Sequence, residues 1–180
     1  FVKNKLLHLA KSSQKINGFL EDYAFIIEAL IALFETTLDE KYLDKANDLL
    51  EYTIEHFQDT NSGMFYFTSD NSINLIARKM EVLDNVIPSS NSVLAESLFK
   101  LGHYYSDKTY STLANQMLSN VNEDIKEVPS GYTNWMMLYL DYANPYYEVA
   151  ISGPDAQSKL KELDMHYLPN ILISGSEKNS

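Results

Sequence analysis

Residues 28–50 read EALIALFETTLDEKYLDKANDLL, and 68 positions later residues 96–118 read ESLFKLGHYYSDKTYSTLANQML. Eight of the 23 aligned positions are identical, among them an Asp-x-x-Tyr-x-x-x-Ala-Asn pattern that begins at Asp39 and again at Asp107. An internal repeat of this kind indicates an array of similar supersecondary units. Because each copy reads as two helices joined by a short turn, the sequence predicts a helical repeat array.

The two predicted helices of each copy differ in how their apolar residues are distributed. In the first, residues 19–36, apolar side chains cover most of the circumference, as in a helix buried on several sides. In the second, residues 40–57, they keep to one stripe, and Asp39 stands before it as a helix cap. The same pair recurs, followed by a third helix of the first type: 90–105, 108–121 and 131–143. This alternation of inner and outer helices is what a toroid of helical hairpins requires.

Short β elements are predicted around the helices. Residues 63–68 and 75–80 flank a polar stretch and predict a β-hairpin at the rim of the array. Residues 5–17 predict either a short hairpin that turns at 12–14 or a helix end. The chain ends in a predicted strand, helix and strand: 148–155, 156–165 and 170–174. We therefore divide the chain into a helical-hairpin array (1–145), a strand–helix–strand tail (146–175) and a disordered end (176–180).

Composition restricts the classes of partner. The formal net charge of −11 disfavours nucleic acid and anionic membranes, since both would repel the chain. The absence of cysteine excludes disulfides and thiolate chemistry within these residues and fits a cytoplasmic protein. The longest apolar stretch, residues 24–34, is too short for a membrane span and contains Glu28. Because the sequence begins at Phe1 without a charged and apolar leader, we expect it to be part of a longer protein.

The first candidate site is the motif GFLEDYAF at residues 18–25. Glu21 and Asp22 open the first inner helix, where a carboxylate could act as general acid or base. Carboxylates in a first turn can equally serve only to complement the helix dipole, and both interpretations stay open. Tyr23 beside them could offer a stacking face, and His8 upstream could reach the same cleft.

The second candidate site is the motif RKMEVLDNVIPSSNS at residues 78–92. Glu81 and Asp84 form a second pair of carboxylates, the groups that glycoside hydrolysis or sugar proton transfer would use. Arg78 could orient a carboxylate or a sugar oxygen, or it could neutralise one of these two carboxylates in a structural cluster. Since both motifs stand at the start of an inner helix, helices packed side by side would bring them to one rim.

More short polar side chains surround Pro88 than a single helix cap needs. Ser89 or Ser90 is predicted to cap the helix, and the others are predicted to face a ligand or a neighbouring loop. Trp135 on the third inner helix could stack on a sugar or belong to the core. The ligand-binding candidates in this group are Asn85, Ser90, Asn91, Ser92 and Trp135. No pair among the four histidines has metal-ligand spacing, so neither a metal nor a cofactor is predicted.

Four segments together resemble one known family. They are GFLEDYA (18–24), Arg78-Lys-x-Glu81, Asp84-x-x-x-Pro-Ser-x-Asn-Ser92 and EVAI-x-G (148–153). They resemble, over nearly the whole chain, the helical part of an uncharacterised family labelled thioredoxin-domain-containing, which includes proteins called spermatogenesis-associated. The resemblance implies an (α/α)6 toroid similar to N-acylglucosamine 2-epimerases and six-hairpin glycosidases, preceded in the parent protein by a thioredoxin-like domain.

The sequence departs from the family pattern at several positions. Residues 84–86 read DNV where many members have Asp-Gly-Ala, and residues 88–91 read PSSN where they have Pro-Ser-Gly-Asn. His8 stands where many members have Arg. The thioredoxin-like domain, the first part of the toroid and the family's C-terminal cysteines are absent from this sequence. The resemblance therefore implies an open site with an altered substrate preference.

These observations predict an all-α fold, about half of an (α/α)6 toroid of helical hairpins with a rim β-hairpin and a small C-terminal strand–helix–strand unit. The leading functional hypothesis is a carbohydrate-active or carbohydrate-binding cleft. Its acid–base groups would be Glu21, Asp22, Glu81 and Asp84. The alternative is a non-catalytic scaffold that docks or regulates the thioredoxin-like domain of the parent protein. Half a toroid leaves inner helices exposed along one edge, which predicts self-association of the chain.

Overall fold

The computed structural model describes residues 4–9, 16–72 and 77–176. Within these ranges the helices are α1 (Leu20–Thr37), α2 (Glu40–Phe57), α3 (Ser90–Tyr104), α4 (Lys108–Glu127), α5 (Thr133–Ala143) and α6 (Ala156–Leu163). The strands are β1 (Leu7–Leu9), β2 (Ile16–Asn17), β3 (Tyr147–Ser152) and β4 (Ile171–Ser176). None of the helices in the described part of the chain has the length and apolar character that a membrane span needs.

The helices form hairpins that stack in register. Helix α1 packs on α2, and α3 packs on α4. The inner helices then contact one another, α1 against α3 and α3 against α5. This arrangement confirms the predicted partial toroid of helical hairpins, with inner helices buried and outer helices covering them.

The internal repeat extends to the turns between the paired helices. Leu38 and Ser106, which are 68 residues apart, both adopt left-handed backbone angles, with φ of 56° and 52°. The next residues, Asp39 and Asp107, both cap the following helix by accepting a hydrogen bond from the backbone N–H two positions further on, at 3.2 and 2.7 Å. The caps predicted at these two positions are confirmed.

Helix boundaries follow from packing more than from local pattern. Helix α4 runs to Glu127, beyond the predicted end at 121, because Ile125 continues its apolar stripe and packs against the core. Helix α5 begins at Thr133, two residues later than predicted, because a 3₁₀ turn at Pro129–Gly131 precedes it. On α5, the last inner helix, Met136, Met137, Tyr139 and Leu140 remain exposed.

The β elements differ in regularity. Strands β1 and β2 pair antiparallel, which favours the hairpin prediction for the first residues, although the turn itself lies outside the described residues. At the rim, Gln58 bridges Phe65 and Tyr66 bridges Met80. The predicted rim hairpin is thus represented by isolated antiparallel bridges, and part of its second arm, 73–76, lies outside the described residues.

The tail forms the predicted strand–helix–strand unit. Strands β3 and β4 pair in parallel, and α6 connects them. Ile151 and Ile173 of the strands pack around a small core that the tail shares with the turn after α1: Leu38, Ala156 and Leu160. Strand β4 continues through Ser176, and residues 177–180 of the predicted disordered end lie outside the described residues.

Candidate functional site

A cavity of about 690 Å³ lies where α1 and α3 begin, under the segment that leads into α3. We call it the rim cavity. Four of the residues predicted as site residues line it: Glu21, Glu81, Asn85 and Ser90. Both sequence motifs therefore contribute to one cleft, as expected from their equivalent places in the repeat.

Three carboxylates line the rim cavity, Glu21, Glu81 and Asp124, and the last accepts a hydrogen bond from the Tyr132 hydroxyl at 3.3 Å. The side chains of Glu21 and Glu81 are half-buried. Neither carboxylate has a hydrogen-bond or ion-pair partner within the part of the chain that the structure describes. Two unpaired carboxylates in one cleft can accept hydrogen bonds from a ligand's hydroxyl groups or exchange protons with it.

Asp22 lies outside the rim cavity and stabilises the start of α1. Its Oδ2 accepts a hydrogen bond from the backbone N–H of Phe19 at 2.8 Å and lies 3.0 Å from His8 Nδ1. His8 also packs its ring against Phe19. Of the two interpretations of the GFLEDYAF carboxylates, helix capping describes Asp22, and the predicted ligand residue His8 serves to hold that cap.

Asp84 holds the ends of two inner helices together. Its Oδ1 accepts hydrogen bonds from Ser89 N (2.8 Å) and Ser92 Oγ (2.9 Å), and its Oδ2 accepts one from Asn134 N (2.8 Å). Asn134 also donates from its amide to Ser92 Oγ at 3.1 Å. The predicted catalytic role of Asp84 and the predicted ligand role of Ser92 are therefore replaced by a clasp between α3 and α5. Ser89, one of the two predicted caps, accepts from Ser92 N at 3.1 Å and is the cap of α3.

Arg78 binds main-chain carbonyls instead of a carboxylate. It donates from Nε to Thr68 O at 3.0 Å and from Nη2 to His56 O at 3.2 Å. Its guanidinium lies 4.2 Å from the centre of the Tyr66 ring. The ion pair with Glu81 or Asp84 considered from the sequence is not formed, because Arg78 is used to tie the end of α2 to the rim.

Asn91 is completely buried and fully hydrogen-bonded. Its Oδ1 accepts from Phe65 N at 2.8 Å, and its Nδ2 donates to Phe65 O at 3.0 Å and to Glu81 O at 2.8 Å. The Asn91 side chain thus makes the hydrogen bonds that a neighbouring strand would otherwise make to the backbone at Phe65 and Glu81. The predicted ligand role of Asn91 is not compatible with this arrangement, although the residue positions Glu81 in the rim cavity.

The two aromatic residues predicted to stack on a sugar belong to the core. Trp135 is 0% exposed and donates from Nε1 to Val82 O at 2.8 Å. Tyr23 is 1% exposed, and its hydroxyl accepts from Leu6 N at 2.8 Å. Burial raises the pKa of the Tyr23 phenol, so it stays protonated. Neither ring has a face that a ligand could reach.

The structure shows a second cavity that sequence reasoning missed. It measures about 300 Å³ and lies between the inner helices and the tail, where Glu35, Glu96 and Asp141 surround Lys100. Lys100 Nζ is 3.8 Å from Glu35 Oε1 and 3.6 Å from Glu96 Oε1. We call this group the inner acidic cluster. Glu96 is one of the identities of the internal repeat, but Glu35, Lys100 and Asp141 belong to no motif. The only sequence signal for these three is that each is a charged residue within an otherwise apolar helix.

Burial governs the protonation of the inner acidic cluster. It raises the pKa of Glu35, against the opposing effect of Lys100. Burial, reinforced by Glu96, raises the pKa of Asp141 to about 6. Burial alone would lower the pKa of Lys100, but its two glutamate neighbours more than offset this and raise it. The cluster therefore holds its lysine charged and takes up a proton on mild acidification.

The raised pKa of Asp141 predicts a pH-dependent stability. The folded protein binds this proton more tightly than the unfolded chain, where the ordinary value is 3.8. The corresponding stabilisation is fully present below the unfolded pKa and is lost as the pH rises through about 6. We expect Asp141→Asn to be more stable than wild type at pH 7, with the difference disappearing towards pH 4, in urea denaturation followed by circular dichroism. Exposed Asp155, changed to Asn, is the control, and a difference between Asp141→Asn and wild type that does not vary with pH would contradict the assignment.

No three His, Asp or Glu side chains of the described ranges come together in a way that could hold a metal ion. The polar groups that line the rim cavity include three carboxylates, the Lys79 ammonium, the Ser90 hydroxyl and the Asn85 amide.

Comparisons with known proteins give distant relatives. No protein-family model matches the chain. Its alignment with an uncharacterized protein of Caenorhabditis elegans is 29% identical over 119 residues and covers 66% of this chain and 16% of that protein. It is 27% identical to Spermatogenesis-associated protein 20 of Rattus norvegicus and 26% identical to the Homo sapiens protein. Both alignments span 162 residues and cover 87% of this chain and 20% of the relative. The chain thus spans at most about a fifth of the length of these relatives, and they support the spermatogenesis-associated resemblance seen in the motifs.

A solved structure shares the helical array. The GH76 alpha-mannanase of Bacteroides thetaiotaomicron superposes with a TM-score of 0.51 at 18% identity, covering 64% of this chain and 30% of that chain. At this level of identity the match shows the fold alone. It confirms a helical toroid-like fold.

Proposed function

We propose that the rim cavity binds a carbohydrate, with the carboxylates of Glu21 and Glu81 accepting hydrogen bonds from sugar hydroxyls. The observation that carries this proposal is the pair of unpaired carboxylates in one cleft of about 690 Å³, a volume typical of small-molecule sites. Met64 and Val82 supply an apolar wall beside them. Sugars combine a ring of hydroxyls with apolar C–H faces, so this combination of wall and acceptors suits them.

The geometry narrows the acid–base hypothesis from four carboxylates to two. Asp22 and Asp84 do not line the rim cavity, and both accept hydrogen bonds from backbone N–H groups at the starts of helices. Any acid–base sugar chemistry in this cleft would use Glu21 and Glu81. The similarity to a mannanase fold supports this class of ligand by analogy of fold. The cytoplasmic location and the thioredoxin-like domain of the parent protein remain predictions from the sequence.

Binding of sugars by the two carboxylates can be measured directly. We expect ligand-observed NMR to find a saturable ligand among neutral, N-acetylated and uronic mono- and disaccharides. The uronic sugars should bind less tightly than the neutral ones, because three carboxylates and only one cation, Lys79, line the cleft among the described residues. Glu21→Gln and Glu81→Gln should each weaken the best ligand by about tenfold, the loss expected for one hydrogen bond to a charged group.

Glu40→Gln is the matched control, since Glu40 also lies in the first turn of a helix but on α2, away from the rim cavity. It should leave affinity unchanged. A ligand that binds Glu21→Gln and Glu81→Gln as tightly as wild type would bind elsewhere, and this result would contradict the proposal. A folded protein that binds none of the sugars would contradict it as well.

The scaffold hypothesis has one observation in its favour. The predicted site residues Asp22, Arg78, Asp84 and Asn91 are all engaged in hydrogen bonds within the chain, as expected of residues that hold loops in place. A scaffold would bind no sugar and would instead bind the thioredoxin-like domain of the parent protein. Titration of that separate domain into this chain, followed by calorimetry, would show heat of binding in the scaffold case and none in the sugar-cleft case.

A further inference from the structure

The hydroxyl of Tyr104 lies between the tail and the inner acidic cluster. Tyr104 stands on α3, and its oxygen is 2.8 Å from the carbonyl oxygen of Ile173 on β4 and 3.1 Å from Oε1 of Glu35 on α1. Its ring packs edge-on against Phe34, with 5.2 Å between the ring centres. One side chain thus joins two inner helices to the last strand of the tail.

The two contacts cannot both be full hydrogen bonds donated by Tyr104. A phenol carries one proton, and a carbonyl oxygen can only accept. When Tyr104 donates to Ile173, the shorter contact, Glu35 completes the second hydrogen bond only as a carboxylic acid that donates to the phenol oxygen. An ionised Glu35 instead competes with the carbonyl for the single phenol proton, and a charged acceptor makes the stronger hydrogen bond. Both contacts are therefore satisfied together only while Glu35 is protonated.

The carbonyl of Ile173 points away from the ladder between β3 and β4. The two strands pair in parallel, and at the end of the ladder Gly153 N donates to Ser176 O at 3.0 Å. Since backbone direction alternates along a strand, the even-numbered residues of β4 face β3 and Ile173 does not. The hydrogen bond from Tyr104 therefore links β4 to the helices and not to its own sheet.

The surroundings of Glu35 favour its protonated form. Its side chain is 19% exposed, and burial raises its pKa above the ordinary value of 4.5. Lys100, at 3.8 Å, opposes this effect, but it is shared with Glu96, at 3.6 Å. The other titratable groups that surround these residues are Glu28 on α1, Asp141 on α5, Tyr146 before β3, and Asp164 and His166 after α6. A proton on Glu35 also relieves repulsion among the carboxylates of this group.

The tail covers the inner acidic cluster and depends on the helices for its own order. Ile171 and Ile173 line the same cavity of about 300 Å³ as the cluster. The core of the tail is small, with Ala156 and Leu160 against Leu38, and a two-stranded sheet is only marginally stable by itself. Weaker docking on the helices should therefore loosen the sheet and uncover the cavity.

We propose that Glu35 and Tyr104 form a pH-sensitive latch for the tail. With Glu35 protonated, hydrogen bonds run from Glu35 through Tyr104 to the Ile173 carbonyl and hold β4 on α1 and α3. As the pH rises and Glu35 ionises, Tyr104 donates to the carboxylate, β4 loosens and the inner acidic cluster is uncovered. Because the folded pKa of Glu35 is raised, this stabilisation is fully present below 4.5 and is lost as the pH rises through the folded value. All three groups belong to this chain, and the latch is separate from the rim cavity.

Hydrogen exchange in the tail measures the latch. The amides of Leu172 and Ser174 face β3, so their protection factors report whether the sheet stays docked and ordered. In the whole chain we expect these factors to fall by about tenfold from pH 5 to pH 8, the effect of losing one hydrogen bond. Glu35→Gln keeps the shape and donates from its amide to Tyr104, so its protection factors should stay at the acidic wild-type level throughout.

Two further variants separate the latch from the general electrostatics of the cluster. Asp141→Asn removes the carboxyl whose pKa is raised to about 6 and should retain the fall in protection. Tyr104→Phe keeps the ring against Phe34 and should already lose about tenfold in protection at pH 5. A fall that persists in Glu35→Gln, or one that disappears in Asp141→Asn, would overturn the proposal. So would wild-type protection in Tyr104→Phe at the acidic pH, or a wild-type chain whose protection factors do not change with pH.

Discussion

Asn91→Ala is expected to lower the free energy of unfolding by about 4 kcal/mol, because three hydrogen bonds are lost and three backbone groups are left without a partner. The side chain is 0% exposed and serves both backbone groups of Phe65 and the carbonyl of Glu81. No other described side chain replaces these contacts. Urea denaturation at neutral pH, followed by circular dichroism, measures the effect.

Asn85→Ala is the matched control for this prediction. Asn85 is an exposed amide six residues earlier in the same motif, with no side-chain partner in the described part of the chain, so its removal should cost less than about 0.5 kcal/mol. Asn91→Asp keeps the acceptor for Phe65 N but sets a buried carboxylate against the carbonyl oxygens of Phe65 and Glu81, so it should be at least as destabilising as Asn91→Ala. Equal stability of Asn91→Ala and Asn85→Ala would show that Asn91 does not hold the rim loops.

Asp84→Ala is expected to cost about 3 kcal/mol, because three hydrogen bonds to a charged, half-buried carboxylate are lost at once. The backbone N–H of Asn134 at the start of α5 and that of Ser89 before α3 would both lose their acceptor. We expect the unfolding midpoint to fall while the urea dependence stays unchanged, since the fold itself is kept.

A simple helix cap provides the comparison for Asp84. Asp39→Ala removes one cap contact and an exposed ion pair with Lys41, and should cost about 1 kcal/mol. Asp84→Ala should therefore be clearly the more damaging of the two. If both variants lost the same stability, the clasp between α3 and α5 would contribute no more than an ordinary cap. The catalytic role predicted for Asp84 from the sequence would then have to be considered again.

The helices and their caps could be predicted because the rules that set them are local. Asp39, Asp107 and Ser89 act within three residues of their own position, and the alternation of buried and amphipathic helices is visible in the apolar pattern. The end of α4 could not be predicted in this way, since it depends on Ile125 reaching a core built by other helices.

The candidate site was predicted only to the level of motifs. Glu21 and Asp22 are neighbours in sequence, but consecutive residues of a helix point about 100° apart. One of them therefore lines the cleft, and the other turns back to cap the helix. Similarly, Trp135 is held in the core by a hydrogen bond to the carbonyl of Val82, 53 residues earlier. A contact over this distance in sequence cannot be predicted from a local pattern.

The inner acidic cluster was beyond sequence reasoning for the same reason. Glu35, Glu96 and Asp141 come from three different inner helices, and only helix packing brings them around Lys100. In the sequence each appears as a single charged residue within an apolar helix. The contribution of burial to their pKa values likewise depends on the tail that covers them.

The most direct test of the proposed function is to locate a bound sugar by amide chemical-shift mapping with the best ligand of the saccharide screen. A sugar bound in the rim cavity should produce shift changes that saturate together at Glu21, Glu81 and Ser90, with the residues around Lys100 unaffected. Changes confined to the inner acidic cluster, or no saturable change at any concentration of ligand, would contradict a carbohydrate site in the rim cavity.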